Sequence, residues 1–263
     1  MNGNWIITIG RQFCSGGAEI GQKVAEYFGV PYYDKSIIDH TAEILKIEAA
    51  LVEKHDERPT SIWATPGYQY AYMWYNSDPT LTLPLSVKIA ETQFHTIREY
   101  AKNGPCVIVG RCADHVLRNN KSVISVFIRA DIDKRTERAK KLYKLSENDA
   151  KKLIKKTDRI RSNYYSSHTH DEWGTSENYD LILDSSTLGI DTCVNIIIKT
   201  IEELEEKTNN RCIIKKHRCP FTELRCFFNL FYLSCFGIKA LCISITHRKC
   251  FSRQSSVLYY GGK

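Results

Sequence analysis

Apolar positions along this chain alternate between two periods. Trp5-Ile-Ile-Thr-Ile9 is a continuous run rich in β-branched residues; Ser15-Gly16-Gly17 interrupts it, and Ile20, Val24, Ala25 and Phe28 then return at helical spacing. The pattern predicts a strand, a glycine loop and a helix. Gly29-Val-Pro31 closes that helix, Tyr32-Tyr33 suits a brief strand, and Ile37, Ile38, Ala42 and Leu45 mark a second helix. Residues 55–86 carry Pro, Thr, Tyr and Trp without a stable period, which predicts an irregular or partly helical insert. A helix from about Val87 to Tyr100, closed by Asn103-Gly104-Pro105, leads to the apolar strand Cys106-Val-Ile-Val109. Ser122 to Ile128 predicts another strand and Ile132 to Tyr143 a charged helix. Ser146 and Asp149 form a capping signal for a helix running through Ile154 toward Tyr165. Leu181-Ile-Leu183 is a last short strand and Ile190 to Glu205 a last amphipathic helix. Apolar strands alternating with helices predict an α/β fold, a mainly parallel sheet covered on both faces with ligands beyond the strand C-termini.

Composition narrows the class. The 263 residues are 43% hydrophobic and 25% charged, which excludes collagen-like, low-complexity and wholly disordered chains. A net charge of +7 first suggests an anionic partner, but it is concentrated at one end. Residues 211–263 hold 10 of the 37 Lys and Arg and one acid, Glu223, leaving 27 basic against 29 acidic residues before them. The main body is therefore not basic, and no nucleic-acid partner is expected. Cysteine divides the same way. Cys14, Cys106, Cys112 and Cys193 are scattered, whereas Cys212, Cys219, Cys226, Cys235, Cys242 and Cys250 crowd the end. The scattered set suits a reduced compartment, and no basic stretch with a following apolar run and cleavage site opens the chain, so a cytoplasmic location is expected.

The residues with chemistry lie at the predicted strand ends. Gly10, Arg11, Gln12, Phe13, Cys14, Ser15, Gly16, Gly17 and Ala18 join the first strand to the first helix, where backbone N–H groups and the helix N-terminus favour an anion such as phosphate. No Lys-Ser or Lys-Thr pair follows Gly16-Gly17, so the loop departs from the ordinary P-loop, and a purely structural glycine turn fits the letters equally well. Arg11 lies in the loop, Arg111 directly follows a strand, and Arg159 and Arg161 lie late in a helix. Guanidinium groups hold phosphate through paired hydrogen bonds and do not titrate away, although most surface arginines are simply solvated or salt-bridged.

Several segments resemble one family. Ile7-Thr-Ile-Gly-Arg-Gln-Phe-Cys-Ser-Gly-Gly17, Gly29-Val-Pro-Tyr-Tyr-Asp-Lys35, Val107-Ile-Val-Gly-Arg-Cys-Ala-Asp114 and Val126-Phe-Ile-Arg-Ala130 are similar to the cytidylate kinase-like family. So, in the same order, are Asp158-Arg-Ile-Arg-Ser-Asn-Tyr-Tyr165, Trp173-Gly174 and Asn178-Tyr-Asp-Leu-Ile-Leu-Asp-Ser185. The resemblance spans about residues 5–206 and implies a P-loop kinase fold with a five-stranded parallel sheet over 1–207, a nucleotide-monophosphate arm at about 34–100 and a mobile lid at about 157–178. It implies transfer of the γ-phosphoryl of ATP, with Mg²⁺, to CMP or dCMP. Nucleotides are thus the expected partners.

Under that resemblance, residues 10–18 would hold the ATP phosphates, Asp34, Arg111 and Asp114 the monophosphate, and Arg11, Arg159 and Arg161 the charge of the transition state. Asp34 and Asp114 each have a second reading as acids at a helix start. Cys112 stands where cytidylate kinases carry an acid, and Asp114 matches a divergent branch. That branch commonly has Gly at the position of Cys14 and Arg at that of Ala18, so this loop has gained a side chain and lost a cation. The departures motivate a rival reading, a nucleotide-binding regulatory or interaction module with weak or no transfer.

Other features are less specific. His168-Thr-His170-Asp171 lacks a third metal ligand at a familiar spacing and suits a polar loop. Trp63, Tyr68, Tyr70, Tyr72, Trp74 and Tyr75 suit packing of the insert or stacking on a ligand. Cys14 is either a small loop filler or a thiol activated by the helix start. Residues 208–263 form a Cys-rich basic tail without a C-x-x-C pair; within it, Phe227 to Ile245 approaches membrane-spanning length but is interrupted by Asn229, Gly237 and Lys239.

Overall fold

The structure, a computed structural model, describes residues 5–57 and 85–217. Five strands form one parallel sheet: β1 (Ile6–Arg11), β2 (Tyr32–Tyr33), β3 (Cys106–Val109), β4 (Val123–Arg129) and β5 (Leu181–Asp184), in the order β2-β3-β1-β4-β5. Ile6 pairs with Cys106 on one side and Val123 on the other, so β1 is the central strand. Its IITIGR sequence is apolar on both faces, as a strand covered from both sides requires.

Strand alternation assigns the two faces. Ile7, Ile9, Val107, Val109, Val126 and Ile128 pack against α1 (Gly17–Phe28) and α9 (Ile190–His217), which contribute Ile20 and Val24, and Cys193, Ile197 and Ile201. Ile6, Cys106 and Ile108 face the other way, toward Ile37 of α2 (Ser36–Leu45), Ile97 of α4 (Leu85–Lys102) and Ala113 of α5 (Ala113–Val116). A period of two along each strand thus feeds two separate helical layers. A third cluster ties α2 and α4 to α3 (Ala49–His55) through Ile38, Ala42, Val52 and Ile89. On the far side of the glycine loop, α6 (Ile132–Tyr143) and α7 (Glu147–Thr169) pack around Ala139, Ala150 and Ile154. The short α8 (Ser185–Leu188) directly follows β5.

The predicted strands and most helices are present, and the cap of α7 forms as its spacing requires: the Asp149 amide donates to Ser146 Oγ at 3.2 Å. The differences lie where tertiary packing overrides weak local pattern. Residues 49–55, unassigned in sequence, are helical because Val52 is buried against α2 and α4. The α4 helix starts at Leu85, inside the stretch expected to be irregular. The expected lid, residues 157–178, comprises the second half of α7 and the turn after it; Trp173 packs edge-on against Phe127 of β4 with ring centroids 5.2 Å apart. The aromatic cluster at 63–75 and the tail features from 218 onward lie outside the described residues. Among the described residues, no helix is long and apolar enough to cross a membrane.

Replacing Ile197, fully buried between α9 and the sheet, by Ala is expected to cost about 2–5 kcal/mol in urea denaturation. Leu142→Ala, at a side chain 62% exposed on α6, should change stability by less than about 0.5 kcal/mol.

Candidate active site

Three strand ends converge on the site. The β1 end runs through Arg11 into the loop 12–16; the Gln12 amide donates to Ile128 O at 3.0 Å, and Gln12 Oε1 accepts from the Ala130 amide at 3.0 Å, fastening the loop to β4. Ser185 Oγ donates to Ser15 O at 2.6 Å, fastening it to the end of β5. Gly16 (φ 86°) and Cys14 (φ 60°) are both left-handed. A β-carbon on Gly16 would meet Ile190 Cδ1, and one on Gly17 would lie 2.5 Å from Arg11 Cβ. The two glycines let the loop pack closely against Ile190 and Arg11, and Gly16, Gly17 and Ala18 line a cleft of about 460 Å³. Arg11, Ala18, Asp34, Arg111, Arg138 and Arg161 are among its walls. Ala18 is exposed there, and the Arg138 guanidinium lies beside Gly16 and pairs with Glu19.

The β3 end supplies Arg111. Gly110, Arg111 and Cys112 are three consecutive left-handed residues (φ 77°, 53° and 53°), a costly conformation for the two that carry β-carbons. Only 3% of Arg111 is exposed. Its Nε and Nη2 donate to the two oxygens of Asp56 at 3.0 and 2.8 Å, and its Nη1 donates to Asp34 Oδ1 at 3.0 Å and to Val109 O at 3.1 Å. Burial opposes its charge, but Asp56, Glu57 and Asp34 outweigh that and raise its pKa further.

Glu57 stands between the arginines. One carboxylate oxygen accepts from Arg11 Nη1 and from the Arg111 amide at 3.2 Å; the other accepts from Arg161 Nε at 2.9 Å. Burial alone would raise the Glu57 carboxyl, yet the guanidinium groups of Arg11, Arg161 and Arg111 hold it well below the usual carboxylate range. Burial lowers the pKa of Arg161, with Arg11 adding to the effect, so two cations are crowded around one acid.

Two further carboxylates frame the cleft. Asp158 on α7 accepts from the Phe13 amide at 2.7 Å and pairs with Arg135, bracing the glycine loop from outside. Asp114, at the start of α5, accepts from Tyr165 OH at 2.7 Å beside Tyr179 and Trp173. Burial pushes the Asp114 carboxyl up to about 6 despite the Tyr165 hydrogen bond. The space beside it is only about 20 Å³, room for little more than a water, so a larger group enters only if the aromatic walls move.

A model of the cytidylate kinase-like family matches residues 6–187. The chain belongs to the cytidylate kinase-like family. A crystal structure of an uncharacterized protein from Eubacterium ventriosum ATCC 27560 is 30% identical, with 75% of this chain and 98% of that chain covered and a TM-score of 0.57. A shikimate kinase from Bacteroides thetaiotaomicron is 13% identical over 75% of this chain and 98% of its own, TM-score 0.45. A gluconokinase from Sinorhizobium meliloti 1021 is 12% identical over 78% and 97%, TM-score 0.43. No curated protein matches the chain. Membership and the five-stranded parallel sheet identify a P-loop kinase fold and a kinase-like phosphotransferase.

Of the arginines singled out in this cytidylate kinase-like chain, Arg11, Arg111 and Arg161 come together around Glu57, while Arg159 is exposed on α7, outside that cluster. The Asp34 carboxylate turns toward Arg111, and no side chain caps α2. Burial raises the Cys14 thiol despite the nearby Arg138, Arg135 and Arg161, which disfavours an activated thiolate. Burial also drives His168 down to about 4, where it packs edge-on against Phe94 and Tyr164; among the described residues no three His, Cys, Asp or Glu gather as a metal site. Sequence reasoning missed Asp56, Glu57, Arg135 and Arg138. Asp56 and Glu57 sit at the edge of an aperiodic segment, and the other two look like solvated charges of a polar helix.

Two outcomes test this description. Cys14→Gly removes a left-handed β-carbon and should raise stability by about 1 kcal/mol in denaturant titration. For Asp114 the native pKa is raised, so above about pH 6 its ionised form disfavours the fold, a cost relieved as pH falls from about 6 toward the ordinary carboxyl value. Asp114→Asn should therefore melt higher than wild type at pH 7.5, with the gap closing by pH 4.5.

Proposed function

We propose that the protein transfers the γ-phosphoryl of ATP to a nucleoside monophosphate, with CMP or dCMP as acceptor. The observation that carries this reading is the meeting of Arg11, Arg111 and Arg161 beside a glycine loop at the C-terminal rim of a parallel sheet. Moving a phosphoryl group between two polyanions requires positioning and positive charge rather than a covalent nucleophile, and this rim supplies both.

In the reaction, an oxygen of the acceptor's phosphate attacks the γ-phosphorus, the bond to the β–γ bridging oxygen breaks, and ADP leaves. The loop amides at the start of α1 cradle the ATP phosphates, a role supported by the place of Gly16, Gly17 and Ala18 in the cleft wall at a helix N-terminus. Arg11 and Arg161 neutralise charge on the migrating group. Arg111, held by Asp56 and Asp34, orients the acceptor's phosphate end. Once the aromatic walls beside it move apart, Asp114 reads the base: a carboxylate accepts from the exocyclic amine of cytosine and has no such donor to meet on uracil. Mg²⁺ bound to the nucleotide would offset phosphate charge. Asp34, Asp56, Glu57 and Asp158 are already paired with guanidinium groups, and among the described residues no three His, Cys, Asp or Glu gather as a metal site, so phosphate oxygens would supply most of its ligands.

The rival reading, a nucleotide-binding module without transfer, is favoured by one feature: Gly17 and Ala18 place no cation at the first turn of α1. Measuring ADP release over the common monophosphates decides between them. Turnover should be highest with CMP or dCMP, and Arg161→Met should lower kcat about 100-fold. Ala18→Arg, projecting into the cleft, should raise it. Nucleotide binding in calorimetry with no turnover of any monophosphate would establish the rival.

A further inference from the structure

Glu57 is a buried carboxylate that the anchoring of the Arg111 side chain does not require. The acid that anchors Arg111 is Asp56, which takes two of its guanidinium N–H groups. Glu57 instead reaches past it with both oxygens, one to Arg11 and the Arg111 amide, the other to Arg161. Two guanidinium groups and a backbone N–H around one two-oxygen anion make the same donor set that holds a phosphoryl group. The chain leaves room for it: a β-carbon on Gly110 would collide with both Glu57 Oε1 and Arg11 Nη1. Glu57 also sits in a left-handed backbone conformation (φ 48°), two residues beyond the end of α3, so the ion pairs hold a conformation its backbone disfavours.

We propose that the Glu57 carboxylate occupies the subsite of an incoming phosphoryl anion, and that phosphate enters between Arg11, Arg161 and the Arg111 amide only as Glu57 withdraws. This rests on the phosphotransferase reading above and adds to it an internal competitor. Arg111 stays anchored by Asp56 and Asp34 throughout, so the exchange moves one side chain and leaves the β3 turn in place. The competitor keeps two mutually repelling cations neutralised in the empty site and sets a threshold that a weakly bound or singly charged anion does not pass.

The test is calorimetric binding of inorganic phosphate to the full chain, without nucleotide. Glu57→Gln removes the competing charge, and Glu57→Asp keeps it but shortens its reach to Arg161. Both should bind phosphate about tenfold or more tightly than wild type, the gain expected from freeing charge-assisted hydrogen bonds. Adding Arg161→Met to Glu57→Gln should abolish that gain. Unchanged or weaker phosphate binding in a variant that melts like wild type would overturn the proposal. Failure of both single variants to fold would also overturn it, by making Glu57 a structural counter-ion. Tighter phosphate binding alongside no monophosphate turnover would retain the subsite and remove the kinase reading; turnover alongside unchanged phosphate binding would do the reverse.

Discussion

The buried charge network at the rim of the sheet governs the rest of the site. A guanidinium as enclosed as that of Arg111 is tolerable in a protein interior only when nearly every N–H finds an acceptor, since an unpaired buried charge costs several kcal/mol. Asp56 and Asp34 provide those acceptors from two different segments, one after α3 and one after β2. The network therefore does more than neutralise charge. It draws α2 and α3 onto the β3 end and holds Arg111 and Cys112 in a left-handed turn that their own backbones disfavour.

The parallel sheet supplies the frame. Because all five strands point the same way, β1, β3 and β4 end at one rim, and loops far apart in sequence meet there. The glycine loop is held by β4 through Gln12 and Ile128, by β5 through Ser185, and by α7 through Asp158. Its remaining face borders the cleft. Hydrogen bonds on three sides and glycines on the fourth make a cradle whose shape does not depend on a lysine in the loop.

Charge is also divided between the two sides of the cleft. Arg11, Arg111 and Arg161 are bound to Asp56 and Glu57 after α3, whereas Arg135 and Arg138 of α6 are bound to Asp158 and Glu19 beside the loop. The five arginines named here each have a partner carboxylate. An anion reaching these guanidinium groups meets ion pairs already made, not an unpaired positive field.

How much of this was legible before folding differs by feature. The strands at 6–11, 106–109 and 123–129 follow from unbroken β-branched runs, and the cap at Ser146 from its spacing to Asp149, because both are set by neighbours in the chain. Arg11, Arg111 and Asp34 stood out by lying just after strands, and the ordered motifs named the family. Asp56 and Glu57 did not, since a pair of acids in an aperiodic stretch reads as solvated loop. Likewise nothing local separates Arg161, which meets Glu57, from Arg159, which faces water two residues earlier. Periodicity, glycine placement and composition determined the α/β class and the rim at which chemistry would gather, because those depend on near neighbours. The partners of each charge were decided only by tertiary structure, because the distance from residue 57 to residues 11, 111 and 161 closes through strand order and helix packing, which the local pattern does not contain.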